Sequence, residues 1–224
     1  MKLFIDTADV SHIREAWSWG IIDGVTTNPT HIANSGKDFD SVLTEIFEIV
    51  DGPISVEAIS TNAHAIIEEG RRIAGFHKNA VVKVPVMVEG LKAVKVLAQE
   101  GVKTNVTLCF SPLQAFLAAK AGATYISPFI NRLDLVAHDG GELIRQIRQI
   151  YDNYGFETQI LAASILSPKQ VLESLLAGAN VATMGFNILQ ALYKHPLTDD
   201  GLQIFLDDWK RVPPSRFFAS QAGA

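Results

Sequence analysis

Strand-like and helix-like segments alternate along the whole chain, and this alternation restricts the fold more than any other feature of the sequence. Short apolar runs read as strands at Leu3–Asp6, Gly24–Pro29 (running into a turn), Ile54–Glu57, Val81–Pro85, Val102–Leu108, Thr124–Pro128, Gln159–Ala162 and Asn180–Thr183. Between them, apolar residues recur at helical spacing, as in Val10, Ile13 and Trp17, or Phe39, Val42, Leu43 and Ile46. Further helices are predicted near 111–121, 140–152, 167–177 and 186–194, and a last one at about 199–210. Eight strands, each followed by a helix, predict an α/β protein: a single (β/α)8 TIM barrel with an extra C-terminal helix over 1–212, then a tail over 213–224. An open doubly wound sheet is the alternative, weakened because no G-x-G-x-x-G follows the first strand.

Two units share a pattern at an offset of 56. Ser111-Pro112-x-Gln114 leads to Ala121-Gly122-Ala123, and Ser167-Pro168-x-Gln170 leads to Ala177-Gly178-Ala179. Each reads as a helix with Ser as N-cap, Pro in the first turn and Gly past the end.

A chain of 224 residues with 48% hydrophobic content can fill one large core. Its formal charge of -5 argues against nucleic acid or a membrane surface as partner. One cysteine, Cys109, rules out an intrachain disulfide. With no apolar leader and no apolar stretch near the ~20 residues of a membrane helix, the expectation is a cytoplasmic protein.

Lys83 is the residue that most suggests chemistry. It lies in Val81-Val82-Lys83-Val84-Pro85, a run with the apolar character of a buried parallel strand. Desolvation there would disfavour the ammonium and favour a free amine able to form Schiff bases. The other reading puts Lys83 near the strand end with its ammonium in water.

In a barrel, chemistry gathers at the carboxyl ends of the strands. Those ends supply Asp6, Thr26 and Asn28, Glu57, Lys83, Asn105 and Thr107, then Ser127, Phe129, Asn131 and Arg132, then Ser164, and last Met184-Gly185. The set suits carbonyl chemistry on lysine, with a carboxylate moving protons and Arg132 gripping a phosphate. The six histidines are scattered, without ligand spacing, so neither a metal nor another cofactor is expected. Taken singly, Asp6 also reads as a helix cap, Asn28-Pro29 as a turn, and Asn105 and Thr107 as core polar residues.

The segments Leu3–Ala8, Gly24-Val25-Thr26-Thr27-Asn28-Pro29, Val82–Pro85 with Glu89-Gly90-Leu91, Asn105–Leu108, Ile126–Arg132 and Ala162-Ala163-Ser164 occur in one order across nearly the whole chain. In them the sequence resembles the transaldolase family, and most of all its short subfamily, which also contains fructose-6-phosphate aldolase. The resemblance implies that Lys83 is the Schiff-base lysine and Asp6 the acid/base for the carbon–carbon bond. It implies that Glu57 and Thr107 hold a catalytic water and relay protons. Thr26, Asn28, Asn105 and Ser127 would orient a dihydroxyacetone unit, and Arg132 and Ser164 would bind the sugar phosphate. The implied reaction moves that unit from sedoheptulose 7-phosphate to glyceraldehyde 3-phosphate, giving erythrose 4-phosphate and fructose 6-phosphate in the pentose phosphate pathway.

Aldolases of the subfamily carry Gln and Tyr where this chain has Glu57 and Phe129, so the resemblance favours transfer over release. The family usually has Arg or Lys where this chain has Leu166, so the expectation is a phosphate site that is either weaker or completed by Lys169 or backbone amides. The subfamily's ring-shaped pentamers and decamers imply a homo-oligomer joined through the C-terminal helix. The competing expectations are a fructose-6-phosphate aldolase and a silent barrel that only binds sugar phosphates.

Overall fold

The computed structural model describes residues 1–36, 38–213 and 217. Eight parallel strands close into one barrel in chain order: β1 (Lys2–Asp6), β2 (Gly24–Thr26), β3 (Ile54–Glu57), β4 (Ala80–Pro85), β5 (Thr104–Cys109), β6 (Tyr125–Pro128), β7 (Gln159–Ile165) and β8 (Val181–Met184). After β1 comes α1 (Val10–Ser18), and after β2 come α2 (Pro29–Ser35) and α3 (Phe39–Ile49). Next are α4 (Ala63–Phe76), α5 (Val88–Gln99) and α6 (Pro112–Ala121), following β3, β4 and β5 in turn. After β6 come α7 (Ile130–Asp134) and α8 (Gly140–Tyr154); α9 (Pro168–Leu176) follows β7, and α10 (Phe186–Tyr193) and α11 (Pro196–Trp209) follow β8. The fold is the expected (β/α)8 barrel.

The chain divides into two units, Met1–Leu189 with all eight strands and a second from Gln190 onward that carries α11. Of the tail expected over 213–224, the described residues are Pro213 and Phe217; Phe218 lies outside them.

The period-two rule for strands explains how one sequence fills both the lumen and the shell. Phe4, Val81, Tyr125, Leu161 and Val181 form one buried cluster. The rings of Phe4 and Tyr125 meet edge-on at 6.3 Å, and their strands β1 and β6 are not neighbours. The contact therefore crosses the lumen, and this cluster plugs the barrel. Val82 and Val84 belong to the other cluster, packed between strands and helices. Two residues beyond the plug on the same faces stand Asp6, Lys83, Ser127 and Thr183. A polar layer thus lies directly on an apolar floor, at the carboxyl ends of the strands.

The 56-residue repeat extends into the backbone. Ser111 and Ser167 cap their helices by accepting from Gln114 N and Gln170 N, at 3.2 and 3.3 Å. Each glutamine reaches back, accepting from Phe110 N and from Leu166 N, both at 2.8 Å. The strands before these helices both slip in register, β5 between Val106 and Cys109 and β7 between Ala162 and Ile165. At each slip one residue is left-handed, Leu108 (φ 59°) and Ser164 (φ 58°), again 56 apart. Such bulges bend a strand and re-aim its side chains.

Two helices were not expected. At seven and five residues, α2 and α7 are too short for an apolar period to repeat. The last helix begins at Pro196, earlier than about 199, because His195 Nδ1 accepts from Leu197 N and Pro196 suits the first turn.

Candidate active site

Lys83 is 5% exposed, so the reading in which its ammonium reaches water fails. Its Nζ donates to the Thr27 carbonyl at 2.9 Å and lies 3.0 Å from Glu57 Oε2. Thr27 follows β2, so the lysine reaches across the lumen and does not leave it. Glu57 is its register partner on β3 and Asn105 its partner on β5. Desolvation thus does not act alone: the paired carboxylate compensates for lost hydration. Gly90 lets α5 start against the end of this strand, since a Cβ there would lie 2.3 Å from the Pro85 carbonyl.

A cavity of about 250 Å³ opens above the polar layer. Asp6, Thr26, Asn28, Lys83, Thr107, Ser127, Phe129, Arg132 and Ser164 all line it. Two residues singled out from the sequence stand behind its wall. Asn105 is fully buried; its amide donates to Ser55 Oγ at 3.1 Å and its carbonyl accepts from Ser127 Oγ at 2.7 Å. Glu57 meets Lys83 from β3 and borders a different hollow, an apolar groove of about 670 Å³ between α2, α3 and α4.

Asp6 is gripped on both oxygens. Thr26 Oγ1 donates to Oδ1 at 2.7 Å, and His31 Nε2 lies 3.5 Å from Oδ2. The Thr26 proton is committed to Asp6, so Thr183 Oγ1, 2.6 Å away, donates to Thr26 in turn. Burial pushes the Asp6 carboxyl up, but His31, Lys83 and Thr26 outweigh it and hold the group below its ordinary range.

Thr107 Oγ1 is buried and has no hydrogen-bond partner among the described residues, which suits a site for water or substrate. The Arg132 guanidinium lies 5.1 Å from the Phe129 ring centroid, a cation–π distance. Asn28 caps α2 by accepting from His31 N at 3.0 Å. Leu166 lines the cavity and is 64% exposed. Lys169 is paired instead with Glu173 on α9 and is absent from the lining. Cys109 is buried and its thiol is pushed up to about 12, so it is inert.

The sequence reading missed Thr183 and His31. Thr183 was legible: it stands two residues beyond Val181, on the lumen face of β8. His31 was not, because it sits on α2, which has no periodic signal.

Fold and site together define a (β/α)8 barrel with a buried lysine, a paired carboxylate and a polar cavity at the catalytic rim. The chain belongs to the transaldolase/fructose-6-phosphate aldolase family, whose sequence profile matches residues 3–216. A probable transaldolase from Caldicellulosiruptor saccharolyticus is 58% identical over 214 residues, covering 95% of this chain and 99% of the relative. Another, from a Hydrogenobaculum species, is 54% identical over 217 residues, covering 97% of this chain and all of the relative. Among solved structures, the carboxyl transferase domain of Rhizobium etli pyruvate carboxylase superposes with a TM-score of 0.62 at 14% identity. That match covers 82% of this chain and 39% of the other, and shows likeness of fold alone. Among the described residues, no helix is long and apolar enough to cross a membrane.

Proposed function

We propose that the chain is a transaldolase that carries a dihydroxyacetone unit on Lys83 between sugar phosphates of the pentose phosphate pathway. The observation that carries this reading is Lys83: buried, 3.0 Å from Glu57, and facing the same cavity as Asp6. The relatives' names support it.

Lys83 Nζ attacks the ketose carbonyl, and loss of water gives an imine. Glu57 relays protons at the nitrogen, and unpartnered Thr107 holds the departing water. Asp6 then takes the hydroxyl proton as the carbon–carbon bond breaks, and the bond pair flows into the imine. The aldehyde leaves, an acceptor aldehyde enters, and the same steps run backward. Thr26, Asn28 and Ser127 orient the three-carbon unit, with Asn105 fixing Ser127. Arg132 and Ser164 hold the phosphate.

Phe129 favours transfer over release. Its ring brings no hydroxyl to the cavity, and it packs edge-on against Phe110 at 5.9 Å. A bound intermediate kept dry there waits for an acceptor. Product analysis with fructose 6-phosphate alone tests this: little free dihydroxyacetone forms until an acceptor aldehyde is added. Fast release without acceptor would mean an aldolase.

The copies assemble through α11, as pentamers or decamers, in the cytoplasm. No residue of α11 is buried, and Leu202, Ile204, Phe205 and Leu206 are exposed. This run of exposed apolar side chains supports the reading that α11 packs on a neighbouring copy. Light scattering on the intact chain should give a multiple of the 24.4 kDa protomer; a monomer would contradict assembly.

A further inference from the structure

His31 sits on α2 with its backbone fixed by the cavity residue Asn28, which accepts its N–H at 3.0 Å. Its ring lines the cavity, with Nε2 at 3.5 Å from Asp6 Oδ2, in ion-pair range. The opposite oxygen, Oδ1, is already held by the buried chain from Thr183 through Thr26. Asp6 therefore has one oxygen tied to the barrel wall and one facing a titratable ring. The side chains of both residues keep some exposure, 31% for His31 and 26% for Asp6.

We propose that His31 is a positioning residue for Asp6: it clamps Oδ2 from the cavity side as Thr26 clamps Oδ1 from the wall, so that the carboxylate faces the ketose in one orientation. This inference rests on the transfer reading. In that reaction the hydroxyl proton passes to an Asp6 oxygen, the bond pair enters the imine, and the proton later returns to the acceptor's carbonyl oxygen. A carboxylate free to turn would meet that hydroxyl less often, and orientation of a catalytic group is worth large factors in rate.

The clamp also acts on the charge of Asp6. Burial pushes the Asp6 carboxyl up, and His31 is foremost among the groups that bring it back down. The other charged groups nearby are Lys83 from β4, which lowers Asp6 further, Arg132 from α7 on the cavity lining, and Glu57 from β3 behind Lys83. Loss of His31 thus weakens the ionised form of Asp6, and a higher pH is needed to restore it.

The test is the pH–rate profile of the transfer reaction for the parent, His31→Leu and His31→Gln, with borohydride trapping of the ketose on Lys83 as control. His31→Leu is expected to lower kcat by about tenfold, to change KM little and to keep trapping. Its acidic limb moves to higher pH. His31→Gln, which keeps a neutral donor, recovers part of kcat but leaves the limb displaced. Unchanged kcat, an unmoved limb, a loss carried by KM alone, or no recovery in His31→Gln each overturns the inference. Absence of trapping in the parent overturns the functional reading itself, and the inference with it.

Discussion

Glu57 Oε2 lies 3.0 Å from Lys83 Nζ, and the two residues are register partners on the adjacent strands β3 and β4. The pairing follows from the fold. Neighbouring parallel strands put partners side by side, and Lys83 must point inward because Val82 and Val84 pack outward. The Lys83 nitrogen stands beside one carboxylate able to relay protons and one carbonyl, and it opens on the cavity.

Glu57→Gln keeps the shape and a hydrogen-bonding side chain but cannot titrate. Formation of the Lys83 adduct with fructose 6-phosphate should slow by about 10²-fold, while the circular dichroism spectrum is unchanged. Rapid-quench trapping measures this. Equal rates in parent and variant would remove Glu57 from the proton relay.

Asp6 links the site to acid stability. Its carboxyl is held below its ordinary value of 3.8 in the fold, because His31, Lys83 and Thr26 outweigh burial. A group with a lowered folded value contributes stability that is complete above its unfolded value and is lost as pH falls through the folded one. Urea unfolding followed below about pH 4 should therefore steepen with acid in the parent and less so in Asp6→Asn. Parallel curves would contradict the assignment of that contribution to Asp6.

Leu166 lines the cavity beside Ser164, on the side where the proposed function puts the phosphate, and Lys169 is paired with Glu173. Leu166→Arg adds a guanidinium at an exposed position, with little cost to the fold. A charge-assisted bond of about 1.5–3 kcal/mol should lower KM for fructose 6-phosphate by about tenfold or more. The KM for unphosphorylated fructose should stay unchanged. An equal change for both sugars would show that Leu166 does not face the phosphate.

How much of this was legible in the sequence depended on periodicity. The eight strands were readable because Val81, Val82 and Val84 and their counterparts form apolar runs too short for helices. The polar layer was readable because side chains two apart share a face. The bulges at Leu108 and Ser164 were not, since neither residue is a glycine to advertise a positive φ. Their shared offset was already present in the helices after them, but a capping pattern says nothing of the strand before it. Glu57 and Asn105 carried the right chemistry, yet only the structure places both behind the cavity wall. His31 stayed hidden because a single short turn of helix leaves no pattern.

The central claim is that the buried Lys83 nitrogen on the cavity lining captures the ketose. Borohydride reduction in the presence of fructose 6-phosphate, followed by peptide mass mapping, tests it directly. The account predicts one stable adduct, on Lys83, absent in Lys83→Ala and retained in Asp6→Asn. An unmodified Lys83, or an adduct that persists on another lysine in Lys83→Ala, would contradict it.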